Sequence, residues 1–90
     1  MGAEVRSFVI KNKLGIHARV AAMLVQKAST FSCDIKIEKD GHEVNAKSIM
    51  GVMMLAAAKD STVTLKADGL DAPEALQALG DLFESKFGEE

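Results

Sequence analysis

Residues 14–19 of the chain, with the sequence LGIHAR, place a glycine, a histidine and an arginine within five positions. Gly15 gives a flexible loop, and the residues that follow predict a helix with His17 at its first position. A helix start has unpaired N–H groups and the positive end of the dipole, so it binds anions and disfavours an imidazolium. A neutral imidazole held there is a nucleophile that suits a phosphoryl group, and Arg19 would neutralise part of the phosphoryl charge.

This histidine also has a plainer interpretation, because a single histidine near a helix start is often an ordinary surface residue. The basic residues around it also have two interpretations. Between Lys11 and Lys27 the chain has four basic residues and no acidic one. Such a stretch is either a solvated basic face or a docking side for an acidic partner or a phosphate.

A second stretch, residues 47–55, combines a serine with an unusually apolar short helix. Ser48 is a good N-cap for that helix. The helix has more apolar residues than one buried face can use, so Ile49, Met50 and Met53 are expected either to fill the core or to form an adaptable binding face. A phosphate on Ser48 would be tolerated by the helix but would spoil the adjoining surface for an acidic partner.

The elements that must position these residues follow from hydrophobic spacing. Alternating or β-rich runs predict strands at 5–11, 33–38, 42–46 and 62–67. Apolar residues three and four positions apart predict helices at 17–30, 48–57 and 71–86. The order β-α-β-β-α-β-α predicts an α+β fold with a four-stranded antiparallel sheet and three helices on one face.

Two local signals refine this prediction. Asp40-Gly41 lies between two predicted strands and suits a tight hairpin, because both positions tolerate a positive φ. Asp71 and Glu74 have capping-box spacing at the start of the last helix, with Pro73 in its first turn.

Composition bounds the function. The 90 residues predict one domain over 1–90, with a net charge of −2 that disfavours binding to duplex nucleic acid. One cysteine and two histidines exclude a zinc finger or a disulfide framework, and neither a metal nor a cofactor is expected. The four phenylalanines, with no tyrosine or tryptophan, also argue against an RNA-binding sheet. The lack of a signal sequence, of a long apolar run and of paired cysteines predicts a cytoplasmic protein with no membrane insertion.

The sequence resembles the HPr family, the histidine-containing phosphocarriers of the bacterial phosphoenolpyruvate-dependent sugar phosphotransferase system. The resemblance rests on residues 14–19 followed by two alanines, and on residues 47–53 about thirty positions later, and it covers residues 4–87. It implies an open-faced β-sandwich in which His17 is phosphorylated at Nδ1 by phosphorylated Enzyme I and passes the group to a IIA-type domain. Arg19 would match the active-site arginine, and the backbone of Ala18 and Arg19 would bind the phosphate. Such a protein is a phosphoryl-transfer component rather than a self-sufficient enzyme.

The resemblance also implies a regulatory site and a docking face. Ser48 would match the serine that an ATP-dependent HPr kinase/phosphorylase modifies in some bacteria. The docking face would consist of Ala22, Met23, Gln26, Ile49, Met50 and Met53. An alternative is a specialised regulatory relative that binds a transcriptional regulator or an enzyme through this face without a part in sugar transport. Nothing signals self-association, so a monomer is expected, and His17 argues against relatives that have lost the histidine.

The sequence departs from the family pattern at two places. Val20 stands where the family usually has proline, which restores a backbone donor in the first turn and could alter transfer rate or partner preference. Ala56-Ala57-Ala58 follows Leu55 where the family often has glycine, and we expect it to lengthen or stiffen the end of the second helix.

Overall fold

Four strands and three helices follow one another in the predicted order. The computed structural model describes residues 3–89, so Met1, Gly2 and Glu90 of the predicted 1–90 domain lie outside the described residues. The elements are β1 (Ala3–Val9), α1 (Ala18–Ala28), β2 (Asp34–Lys39), β3 (His42–Asn45), α2 (Ile49–Met54), β4 (Thr62–Asp68) and α3 (Ala72–Glu84). A 3₁₀ turn over Lys86–Gly88 follows α3 and was not predicted.

The strands form one antiparallel sheet in the order β1-β4-β2-β3. In β2, Ile37 lies between Leu65 of β4 and Val44 of β3. The β2–β3 connection confirms the predicted hairpin, since Asp40 and Gly41 both have positive φ, 52° and 83°. Two consecutive left-handed residues make the turn whose twist matches that of the strands it joins.

One face of the sheet is covered by helices, and the other is open. The apolar positions of β2 and β4 are buried, namely Ile35, Ile37, Val63, Leu65 and Ala67. The buried stripes of α1 and α3 join them in a single hydrophobic cluster. On the open face Lys66 bridges Glu38 and Glu43 at 3.0 and 2.9 Å. The predicted α+β open sandwich, with three helices on one face, is therefore confirmed.

The end of α3 packs on the edge strand β1 through aromatic rings. Phe8 stacks on Phe83 with ring centroids 5.1 Å apart. A Cβ atom at Gly80 would lie 2.8 Å from the Phe8 ring, so the glycine allows this close approach. The α3 helix and the segment that follows it are thereby fixed against the strand that leads to His17.

The predicted capping box of α3 is wrong. Asp71 occupies the N-cap position, but its carboxylate makes no hydrogen bond to the helix. It accepts instead from the backbone N–H groups of Ser32 and Cys33, at 2.8 and 2.9 Å, and the Ser32 bond is the main reason that the pKa of Asp71 is lowered. Two N–H donors from the loop before β2 thus outcompete the helix, while the N-cap position of Asp71 and the place of Pro73 in the first turn are as predicted.

The expected lengthening of α2 is also wrong. Ser48 caps the helix by accepting from the N–H of Gly51, but the helix ends at Met54. Ala56 has a φ of 50°, the left-handed conformation that glycine adopts more easily. The next residue, Ala57, is buried, and its carbonyl accepts from the N–H of Ile16 at 2.9 Å. The left-handed Ala56 therefore ends the helix, and Ala57 follows as a contact to the loop before α1.

Two side chains outside the sheet complete the comparison with the sequence. Cys33 is buried, and burial raises its pKa. Lys47 is half-buried and donates to the carbonyl of Phe31 at 2.7 Å. Between residues 3 and 89 no helix has the length and apolar character needed to cross a bilayer.

Candidate functional site

The loop that carries His17 is fixed by a close contact with the chain after α2. Gly15 has a φ of 69°, and a Cβ atom there would lie 2.4 Å from the carbonyl oxygen of Ala57. Ile16 is buried and donates its N–H to that same oxygen. The glycine therefore serves close approach and a left-handed turn as well as flexibility. The start of α1 is held in place by this contact.

His17 is the N-cap residue of α1, one position before the helix, and not its first residue as predicted. Its carbonyl accepts from the N–H of Ala21 at 2.8 Å, which is the first bond of the helix. Its side chain makes no capping bond. Within residues 3–89 the backbone N–H groups of Ala18, Arg19 and Val20 have no hydrogen-bond acceptor, so the helix start remains free to bind an anion.

The imidazole is turned toward a carboxylate from the other end of the chain. Nε2 of His17 lies 2.7 Å from Oε2 of Glu89. The same oxygen accepts from Nη2 of Arg19 at 2.6 Å, while Oε1 accepts from Nδ2 of Asn12 at 2.9 Å. The carboxylate side chain is only 18% exposed. Three donors therefore converge on one anion beside the histidine.

These donors fix the ionisation of Glu89. The hydrogen bond from Arg19, followed by those from His17 and Asn12, lowers its pKa to about 2. At neutral pH the carboxylate is ionised and can only accept hydrogen bonds. The hydrogen between Glu89 and the ring is therefore on Nε2 of His17, and in the neutral ring Nδ1 has a free lone pair.

Arg19 is held for contact with an anion but remains accessible. Besides Glu89, its guanidinium donates to the carbonyl of Phe87 at 3.1 Å and to the sulfur of Met23 at 3.3 Å. Its side chain is 53% exposed. A guanidinium oriented by three partners and open to solvent can follow an anion that arrives from outside.

Asn12 joins the loop that carries His17 to Glu89 by hydrogen bonds. It is completely buried, and its Nδ2 donates to the carbonyl of Gly15 at 2.7 Å as well as to Glu89. Its Oδ1 atom has no partner in the described part of the chain. Burying a polar side chain costs free energy unless its hydrogen bonds are made. The two hydrogen bonds that Asn12 donates offset this cost.

The residues after α3 bring Glu89 to this site; we call residues 85–89 the C-terminal segment. Lys86 and Phe87 both have left-handed φ values, 57° and 54°, which cost about 1–2 kcal/mol each for residues other than glycine. The Phe87 ring is buried and packs edge-on against Phe83 at 5.0 Å, which stabilises by about 1.5–3 kcal/mol. The buried ring, together with the bonds of Glu89 and Phe87 to Arg19, therefore holds the segment in place against the backbone cost.

Sequence reasoning brought His17 and Arg19 together but missed Asn12 and Glu89. Both contact residues far along the chain, and neither belongs to a periodic pattern. Of the remaining predicted site residues, Ser48 caps α2 and makes no hydrogen bond to His17 or Arg19 in the described residues. Those of the predicted docking face vary in exposure: Ala22 and Met23 are half-buried, and Gln26, Ile49, Met50 and Met53 are exposed. Within the described residues no three acidic, histidine or cysteine side chains converge on a metal site.

Comparison with known proteins decides the family. The family model described as "PTS HPr component phosphorylation site" matches residues 5–85 of the chain. The chain belongs to the HPr family. It is 54% identical over 84 residues to Phosphocarrier protein HPr of Cupriavidus necator, with 93% of this chain and 94% of the relative covered. Phosphocarrier protein HPr of Xylella fastidiosa is 49% identical over 82 residues, with 91% and 92% covered.

Solved HPr structures have the same fold. The crystal structure of HPr-C-His from Thermoanaerobacter tengcongensis superposes with a TM-score of 0.93 and 55% identity over 97% of this chain and 98% of that one. HPr from Bacillus anthracis superposes with a TM-score of 0.88 and 46% identity over 92% and 99%. The resemblance noted from two motifs is therefore confirmed, and with it the phosphocarrier role that defines the HPr family.

The stability lost on replacing Glu89 should depend on pH in a defined direction. The pKa of Glu89 is lower in the folded chain than its ordinary 4.5, so its stabilising effect is fully present above pH 4.5 and is lost as the pH falls toward about 2. We expect Glu89→Gln to be less stable than the wild-type protein at neutral pH and equal to it near pH 2. Urea unfolding of both proteins from pH 7 to pH 2 measures this difference.

The control is Glu84→Gln, which removes a carboxylate that is 64% exposed and paired with Lys11 instead of the site. A stability difference for Glu89→Gln that is as large at pH 2 as at pH 7 would contradict the ionised contact.

Proposed function

We propose that His17 is the residue that carries the phosphoryl group, accepting it at Nδ1 from phosphorylated Enzyme I and passing it to a IIA-type domain. One observation supports this most directly: the described structure already holds an anion, the Glu89 carboxylate, at the histidine on the donors of Arg19 and Asn12. The free N–H groups at the start of α1 extend the same preference for negative charge.

The reaction mainly requires that the nucleophile and the groups facing the phosphoryl oxygens are correctly positioned. The lone pair of Nδ1 forms the bond to phosphorus, the bond between phosphorus and the donor breaks, and its electron pair returns to the donor. Arg19 and the N–H groups of Ala18 and Arg19 face the phosphoryl oxygens, and Val20 contributes one further N–H that a proline could not. The histidine side chain is only 31% exposed, so it is accessible from one side, where the partner completes the site.

The predicted docking face supports transfer between two partners in turn. Ile49, Met50 and Met53 are 40%, 70% and 41% exposed, and α2 packs beside α1, which begins directly after His17. The neighbouring Leu14 and Met54 are 71% and 79% exposed and enlarge the apolar surface beyond the residues predicted from the sequence. Unbranched methionine side chains adapt to differently shaped partners, which suits a carrier.

Removal of the histidine tests the proposal. We expect His17→Ala to accept no phosphate when incubated with phosphoenolpyruvate and Enzyme I, because the nucleophile is gone. His42→Ala is the matched control, since His42 is exposed and lies in the β2–β3 hairpin, and it should accept phosphate like the wild-type protein. Acid-labile, base-stable phosphate measured on each protein gives the result, and phosphate on His17→Ala would contradict the proposal.

Ser48 supports a second, regulatory function on the same face. It is half-buried at the start of α2, beside the exposed Ile49 and Met50, and accepts a 3.2 Å bond from Gly51. A phosphate placed there by an ATP-dependent kinase would lie at a helix N-terminus, which tolerates it, and would add charge to the apolar surface. Regulation through a transcriptional regulator or an enzyme would use this charge and would not require His17.

A charge at Ser48 should weaken docking without unfolding the protein. We expect Ser48→Asp to keep the wild-type unfolding midpoint, since aspartate also caps helices, and to bind Enzyme I about tenfold more weakly because the apolar contact is lost. Ser7→Asp is the control, because it adds the same charge to an exposed position of β1. Calorimetric titration measures both. Equal affinity of the two variants would argue against regulation at Ser48.

A further inference from the structure

The His17 ring is held at one nitrogen and free at the other. Nε2 contacts Glu89 at 2.7 Å, while Nδ1 makes no hydrogen bond to any residue between 3 and 89. Neutral histidine has one proton to share between these two nitrogens, and the partner of one nitrogen decides where that proton resides. The nitrogen that has a partner faces a carboxylate 72 positions away along the chain.

We propose that Glu89 is a positioning residue that holds His17 in the Nε2–H tautomer and so presents Nδ1 as the nucleophile. The inference rests on the proposed function, because it concerns the same nitrogen. A carboxylate that accepts from one ring nitrogen while the other reacts is the arrangement that orients catalytic and metal-binding histidines. Glu89 touches the histidine and does not need to touch the phosphoryl group.

The same carboxylate faces the charge that develops on the ring. When Nδ1 bonds to phosphorus, Nε2 keeps its proton and the imidazole becomes positively charged. Glu89 lies on that Nε2–H, so its negative charge stabilises the phosphorylated ring. When the bond between Nδ1 and phosphorus breaks during onward transfer, its electron pair returns to Nδ1 and the ring becomes neutral again.

The C-terminal segment is built to hold Glu89 in this place. The buried Phe87 anchors it, and the Phe87 carbonyl shares the Arg19 guanidinium with Glu89. The N–H of Glu89 donates to the carbonyl of Lys86 at 2.8 Å. From the other side, Asn12 joins Glu89 to the loop that carries His17. The carboxylate is thus fixed at both oxygens, as an orienting group must be.

A different role for the same contact is a block, in which the carboxylate occupies the place of the phosphoryl group. The geometry favours positioning, because the carboxylate lies on Nε2 and leaves Nδ1 free. The two roles predict opposite effects of removing Glu89: loss of positioning slows transfer, and loss of a block speeds it.

The experiment compares wild-type protein with Glu89→Ala by nitrogen NMR of the imidazole rings and by transfer kinetics with phosphorylated Enzyme I. In the wild-type protein we expect His17 in the Nε2–H form. In Glu89→Ala the Nδ1–H form of His17 should rise several-fold, and kcat for phosphorylation should fall about tenfold with KM unchanged. His42, the second histidine of the chain, is the internal reference in each spectrum.

Two further variants complete the test. Glu89→Gln keeps an acceptor oxygen without the charge and should lie between Glu89→Ala and the wild type. Glu84→Ala removes the exposed carboxylate on Lys11 and should leave both readouts unchanged. An unchanged His17 tautomer in both Glu89 variants, or faster transfer by Glu89→Ala, would overturn the inference. Failure of the wild-type protein to accept phosphate would overturn the proposed function alone, since the tautomer is measured without Enzyme I.

Discussion

The site depends on a helix that begins without a side-chain cap. A serine or aspartate before α1 would pair with the first N–H groups and fill the anion site. His17 stands there instead, and its ring reaches across to Glu89, so the N–H groups of the first turn stay free. The buried bond between Ile16 and Ala57 keeps the helix start in this position. The free N–H groups and the imidazole of His17 are thereby placed at the same point of the surface.

The charge distribution of the chain acquires a structural meaning from this arrangement. Residues 1–50 have a net charge of +3 and residues 51–90 a net charge of −5, which together give the net charge of −2. The basic half contributes Arg19, and the acidic half returns Glu89 to it through the C-terminal segment. The small net charge of the whole chain is therefore the sum of two oppositely charged halves, which meet in the Arg19–Glu89 ion pair. The His17 and Arg19 side chains are 31% and 53% exposed, so a partner can reach both of them.

The order of elements could be predicted because its signals are local. Alternation identified β2 and β4, Asp40-Gly41 identified the hairpin, and the loop glycine with His17 and Arg19 pointed to the candidate anion site. What could not be predicted depends on contacts between distant segments. Asp71 bonds to the loop before β2, Ala57 bonds to Ile16 just after the left-handed Ala56 ends α2, and Glu89 meets His17 only in the folded chain. None of these contacts produces a hydrophobic periodicity or a motif spacing that could be recognised in the sequence.

We propose that Nδ1 of His17 carries the phosphoryl group while Nε2 keeps its hydrogen. NMR of nitrogen-labelled protein after phosphorylation by Enzyme I and phosphoenolpyruvate reports which ring nitrogen is coupled to phosphorus. We expect coupling at Nδ1 of His17 and a proton on Nε2. Coupling of phosphorus to Nε2, or phosphate on a residue other than His17, would contradict it.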